Sequence, residues 1–202
     1  LAALRDIPYY SARMRNGGWK DSGEGGSGLF GKRVGIVAYG SIAKYLVRLL
    51  QPFGVKLAVY HYRPLPQEDI EQYGIEQVGL DEIFSGCDII SLHAPLLDAT
   101  YHMIGEELLR RIKPGALFIN TARGAVVDEA ALVAQLATGR FRAVLDVYEK
   151  EPLPQDSPLR SFDNVLLMPH MAGPTIDLRS YIALELMRES AGFIDRGEDL
   201  LH

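Results

Sequence analysis

The sequence predicts a doubly wound α/β fold, an open parallel sheet with helices on both faces. Three observations carry that prediction. Apolar runs of strand length alternate along the chain with helix-length segments, which is the order of repeated βαβ units. Runs such as RVGIVA (33–38) and DIISLHA (88–94) are apolar almost throughout, as strands covered on both faces require. The first run passes through a glycine turn, Ala38-Tyr39-Gly40-Ser41-Ile42-Ala43, directly into a helical pattern.

The elements follow in order. Leu1, Leu4, Ile7 and Met14 recur at roughly helical spacing and predict an amphipathic helix over 1–19. KDSGEGGSGLFGK (20–32) reads as a glycine-rich linker. The sheet domain is expected over 33–196 and a short tail over 197–202. RVGIVA is its first strand, SIAKYLVRLLQPF (41–53) a helix and KLAVY (56–60) the second strand. LDEIFSGC (80–87) predicts a short helix, DIISLHA the third strand and EELLRRIK (106–113) another helix. ALFIN (116–120) is the fourth strand. DEAALVAQLATG (128–139) is a helix that Asp128 caps and Gly139 ends. RAVLDVY (142–148) carries the fifth strand and NVLLMP (164–169) the sixth. Residues 175–196 form a long helix with Thr175 at its N-cap.

Composition narrows the function. A chain of 202 residues, 48% hydrophobic and 23% charged, suits one large globular domain. A net charge of −5 without a Lys/Arg block argues against a nucleic-acid surface. No apolar run approaches the ~20 residues of a membrane span, and the first residues lack a signal-peptide core. The lone Cys87 excludes an internal disulfide and argues against a thiolate metal cluster. It reads as a buried structural thiol leading into a strand, and a cytoplasmic location is expected. No His, Asp or Glu cluster has metal-ligand spacing. Ser91 and Ser180 lack the context of a nucleophile elbow.

Open parallel sheets bind ligands at the carboxyl ends of their strands, so polar residues there are the candidates. Gly40 lets the backbone approach a pyrophosphate, and the following helix offers amides and a positive dipole end. Ala43 is an accepted third position of the turn, while Ala38 places a β-carbon where glycine is usual. The second strand ends Val59-Tyr60-His61-Tyr62-Arg63, with no carboxylate for a ribose 2′-hydroxyl. Arg63 can instead offer its fork of donors to a 2′-phosphate, which points to NADP over NAD. Arg123, after the fourth strand, can grip a 2-oxo acid bidentately and polarise its keto oxygen. His170, after the sixth strand, can give a proton to the alkoxide formed by hydride transfer. Glu151 can sustain the charged imidazole, with Glu149 a rival on spacing alone. Asp146 ends an apolar strand and needs a partner there, a nicotinamide amide or a local turn. His93 can line the cofactor groove, whereas His102 reads as peripheral.

These residues resemble a known family, the D-isomer-specific 2-hydroxyacid dehydrogenases. SLHAPLLDATYHMIGEELLRRIKPGALFINTARGAVVDEAAL is similar to the family's central signature. LDVYEKEPLP and PHMAGPT are similar to its two later ones. The resemblance covers nearly the whole chain. It implies Arg123, Glu151 and His170 as the catalytic set, which prefers Glu151 to Glu149. It implies NAD or NADP as cofactor, held by Gly40, Ser41, Ile42, His61, Arg63, Ala94, Pro95, Thr100, Thr121, Ala122, Asp146 and Gly173. Ala38 and His61 depart from the usual glycine and aspartate of NAD-dependent members. Members similar to glyoxylate and hydroxypyruvate reductases carry an arginine near the second strand's end, as Arg63 does. Family members also have a substrate domain, whose strands this chain does not supply. Residues 1–19 then match the helix crossing between domains, and the chain is expected to be a cofactor domain, inactive alone and dimeric through that domain. The expected substrate is a small 2-oxo acid. The alternative is a non-enzymatic, dinucleotide-sensing protein similar to the family's co-repressor group. Formate oxidation is disfavoured, because related formate dehydrogenases pair their histidine with glutamine.

Overall fold

Strand β1 (Arg33–Val37) is the third strand of a seven-stranded sheet in the order β3-β2-β1-β4-β5-β6-β7. The others are β2 (Lys56–Tyr60), β3 (Ile75–Gln77), β4 (Ile89–Leu92), β5 (Leu117–Asn120), β6 (Arg142–Leu145) and β7 (Val165–Leu167), and every pairing is parallel. This computed structural model describes residues 1–22 and 25–196. The tail 197–202 and two linker positions, 23 and 24, lie outside the described residues. Packing divides the chain into two units, Leu1–Pro169 and His170–His202.

In the first unit, apolar side chains are buried on both faces of the sheet, which is why the strands lack alternation. One face packs Phe84, Phe118 and Phe141 with Ile83, Leu109 and Leu136, beneath α4 (Leu80–Gly86), α5 (Glu106–Arg111) and α6 (Glu129–Leu136). The other packs Val34, Ile36, Leu57 and Val59 against Ala43, Val47 and Leu50 of α2 (Ser41–Leu50). Cys87 is fully buried, and its burial pushes the thiol up to about 11. It sits against β1, where a Cβ on Gly35 would lie 2.8 Å from its sulfur. Asp128 caps α6 by accepting from the Ala131 N–H at 3.0 Å, and Gly139 turns the chain beyond it at φ 67.

Three local expectations need correction. The sheet has seven strands, not six, because 61–79 hold α3 (Gln67–Tyr73) and the edge strand β3. Only one of β3's three residues is buried, so it leaves no apolar run to read. The first helix, α1, covers only Ile7–Arg15 and buries none of its residues. Leu4, in the turn before it, is the buried anchor, and Arg142 of β6 reaches Asp6 and the Ala3 carbonyl. In the second unit, Thr175 does not cap the long helix. Its carbonyl accepts the Leu178 N–H at 3.0 Å in a 3-10 turn, and α7 opens at Arg179.

Candidate functional site

Register builds the site. Tyr60, Val37, Leu92, Asn120, Leu145 and Leu167 are successive partners across β2, β1, β4, β5, β6 and β7. That row is the carboxyl rim of the sheet. The residues just past it are His61, Ala38, His93, Thr121, Asp146 and Met168. The chain order reverses direction between β1 and β4, the switch point where such sheets open a crevice.

At β1 the turn is bent by Ala38 itself, which stands at φ 72 with its N–H bonded to the Tyr60 carbonyl at 2.8 Å. Gly40 is the N-cap of α2, and no side chain caps that end. A Cβ on Gly40 would meet no protein atom within 4 Å, so the amide end of α2 faces open space. Ser41 and Ile42 are exposed beside it. A turn of this form accommodates a dinucleotide pyrophosphate at the helix end.

At β2, His61 does not take the place of a ribose-binding carboxylate. Its Nδ1 accepts the Tyr39 N–H at 3.2 Å, tying the strand end to the glycine turn. Burial, helped by the Arg63 charge, lowers its pKa from 6.5, consistent with a neutral ring accepting at Nδ1. Arg63 is exposed, its guanidinium 5.0 Å from the Tyr62 ring centre, and among the described residues it joins no ion pair.

Past β4, His93 is partly buried with Nε2 3.0 Å from the Ser91 hydroxyl, and burial lowers its pKa. Ala94 is buried and Pro95 exposed. Thr100 spends its hydroxyl inside its own loop, donating to the Pro95 carbonyl at 2.6 Å and accepting the Leu97 N–H at 2.8 Å.

Past β5, the buried Asn120 folds the turn that carries Arg123. Its Oδ1 accepts the Ala122 N–H and its Nδ2 donates to the Arg123 carbonyl, both at 3.0 Å. Thr121 and the Arg123 side chain are exposed at the rim. Gly124 is pressed against the loop after β6: a Cβ there would lie 1.9 Å from the Tyr148 carbonyl carbon and 2.5 Å from the Glu149 nitrogen. Only glycine allows the Arg123 segment to come this close.

Past β6, Asp146 is 2% exposed, and its N–H bonds the Asn120 carbonyl at 3.0 Å. Glu151 is exposed and accepts the Tyr148 N–H at 3.0 Å. The Tyr148 hydroxyl lies 2.8 Å from the Met168 carbonyl and 3.1 Å from that of Leu145, joining the ends of β6 and β7. Glu149 is engaged elsewhere: its carboxylate pairs with His102 Nε2 and accepts the Glu129 N–H at 3.3 Å. His102 is therefore not peripheral. Sequence reading missed Asn120, Gly124 and Tyr148 as well. Glycine directly after Arg123 was the visible signal for a close approach.

The first unit thus brings the glycine turn and the loops of Arg123, Asp146 and Glu151 to one rim. His170 and Gly173 belong to the second unit, where His170 opens the segment in the left-handed region at φ 52.

Known proteins share this fold. Residues 1–172 match the family model described as D-isomer specific 2-hydroxyacid dehydrogenase, NAD binding domain. A glyoxylate reductase of Korarchaeum cryptofilum is 39% identical over 98% of this chain and 60% of its own length. A hydroxypyruvate reductase of Thermotoga maritima is 34% identical over 94% of this chain and 61% of its own. A solved D-isomer specific 2-hydroxyacid dehydrogenase of Xanthobacter autotrophicus Py2, in complex with NADPH and MES, superposes with a TM-score of 0.81 at 33% identity. That alignment covers 99% of this chain and 81% of the solved one. The chain spans about three-fifths of the length of the two curated relatives. With the seven-stranded parallel sheet, the open glycine turn and a family match over most of its length, this chain belongs to the D-isomer-specific 2-hydroxyacid dehydrogenases, as their NAD-binding domain.

Proposed function

We propose that this chain is the cofactor-binding part of an oxidoreductase acting on a small 2-oxo acid of the glyoxylate or hydroxypyruvate kind. The observation that supports it is the shared rim: the turn of Gly40 and the loops of Arg123 and Glu151 follow one row of register partners at the sheet's switch point. The amide end of α2 would hold the pyrophosphate and Asp146 the nicotinamide amide of a dinucleotide, which when bound would supply the hydride for C2 of the oxo acid. Arg123 grips the substrate carboxylate and polarises the keto oxygen. His170 is the proposed general acid for the alkoxide oxygen, and Glu151 the proposed acidic member of the catalytic set. This stretch spans about three-fifths of its curated relatives' length, and negligible turnover is expected from it by itself; keto-acid reduction by it would contradict this.

NADP is the proposed cofactor of the two. His61 is committed to the glycine turn, no carboxylate repels a 2′-phosphate, and Arg63 is exposed beside that position. The test is a fluorescence titration of NADH and NADPH against wild type and Arg63→Ala. A lost charged hydrogen bond is worth about 1.5–3 kcal/mol, so NADPH affinity should fall at least about tenfold while NADH affinity holds. Equal NADPH affinity in both proteins removes the phosphate contact from the proposal. Turnover of glyoxylate by the full-length protein separates the enzyme from the sensor reading, which predicts dinucleotide binding with no turnover on any 2-oxo acid. The cytoplasm is the proposed compartment. Among the described residues no helix is long and apolar enough to cross a membrane.

A further inference from the structure

We infer that His102 is a positioning residue for the reaction, a clamp that holds the loops of Arg123 and Glu151 against each other through its bond to Glu149. The inference rests on the dehydrogenase reading above and extends it to a residue that touches no reacting atom.

The geometry forms a closed ring of contacts. On one side, the segment of His102 runs along the chain that follows Arg123. The His102 N–H bonds the Ala125 carbonyl at 2.9 Å, and the Ile104 N–H bonds that of Val126 at 3.0 Å. On the second side, Gly124 lies against the backbone of Tyr148 and Glu149 with no room for a Cβ. On the third, the His102 imidazole Nε2 bonds the Glu149 carboxylate. Glu149 is further held by α6: its N–H donates to the Glu129 carboxylate at 2.9 Å, and its own carboxylate accepts the Glu129 N–H. Glu151, two residues on, inherits its place from this anchored stretch. The Tyr101 ring stacks on the imidazole, centres 4.0 Å apart and planes 12° apart, and fixes the direction in which Nε2 points.

Both partners are about one-third exposed, and pairs at such sites contribute little to global stability. Their effect is local. Displacement of a binding group by about 1 Å is enough to cost catalysis up to about a hundredfold. The clamp therefore matters for substrate handling far more than for folding.

The test uses His102→Ala and His102→Gln. Glutamine keeps an N–H donor that can reach Glu149, whereas alanine keeps none. In the full-length protein, His102→Ala should raise the KM for glyoxylate about tenfold. Its NADPH affinity should stay within about twofold, and His102→Gln should restore KM. In this chain itself, hydrogen exchange at the Glu129 and Glu149 amides should speed up about tenfold in His102→Ala and return to the wild-type rate in His102→Gln. Unchanged exchange in His102→Ala overturns the clamp, as does a KM equal to wild type or an NADPH affinity that falls in step with KM. If the wild-type protein reduces no 2-oxo acid while the amides respond, the dehydrogenase reading fails and the clamp stands as a feature of the fold.

Discussion

Ala38 carries a methyl group into a backbone geometry, φ 72, that glycine adopts without steric conflict. The left-handed region costs an alanine about 1–2 kcal/mol, and glycine gives back about 0.4–1 kcal/mol through its freer unfolded chain. Ala38→Gly should therefore stabilise the protein by about 0.5–1 kcal/mol, read as a higher urea midpoint at unchanged slope. A lower midpoint would show that Ala38 is held without strain. Gly124 is the opposite case. Its φ is ordinary, and the need for glycine comes from the chain packed against it, where any Cβ would overlap Tyr148.

The helix after the glycine turn presents two faces. Ala43, Val47 and Leu50 are buried against the sheet, while Ile42, Tyr45 and Leu49 stand exposed at i, i+3 and i+7. An exposed apolar stripe on a packed helix marks a contact surface. We propose that the homodimer expected through this domain packs on that stripe. Light scattering should give a dimer for the wild type and a monomer for the Tyr45→Glu/Leu49→Glu variant, with circular dichroism unchanged. A monomeric wild type at micromolar concentration would remove the stripe's role. Element strength also explains what the sequence hid. β1 and β4 are mostly apolar and buried and announce themselves, whereas β3 pairs through its backbone while exposing two of three side chains.

For the molecule as a whole, stability depends on pH through two histidines held neutral. Burial lowers the pKa of His93, and burial with the Arg63 charge lowers that of His61. The unfolded chain therefore binds protons more readily than the folded one below the ordinary histidine value of 6.5. The stabilisation is complete above that pH and is lost as pH falls through the folded values. The urea midpoint should be lower at about pH 5.5 than at about pH 7.5, and His93→Gln should flatten the difference. Equal midpoints for the wild type at both pH values would contradict it.

The sequence by itself determined the parallel sheet, the capped helix at Asp128, the glycine turn and the rim positions of Arg123, Asp146 and Glu151. Each is legible because its cause lies within a few neighbouring residues: periodicity, a cap, or the step from an apolar run into a turn. The tertiary structure alone decided the joints between those pieces. His102 meets Glu149 across 47 residues of chain, and His61 meets the amide of Tyr39 across 22. No local pattern encodes such pairs. They arise only when strand register brings separate loops to the same rim and close backbone packing, as at Gly124, fixes the distance between them.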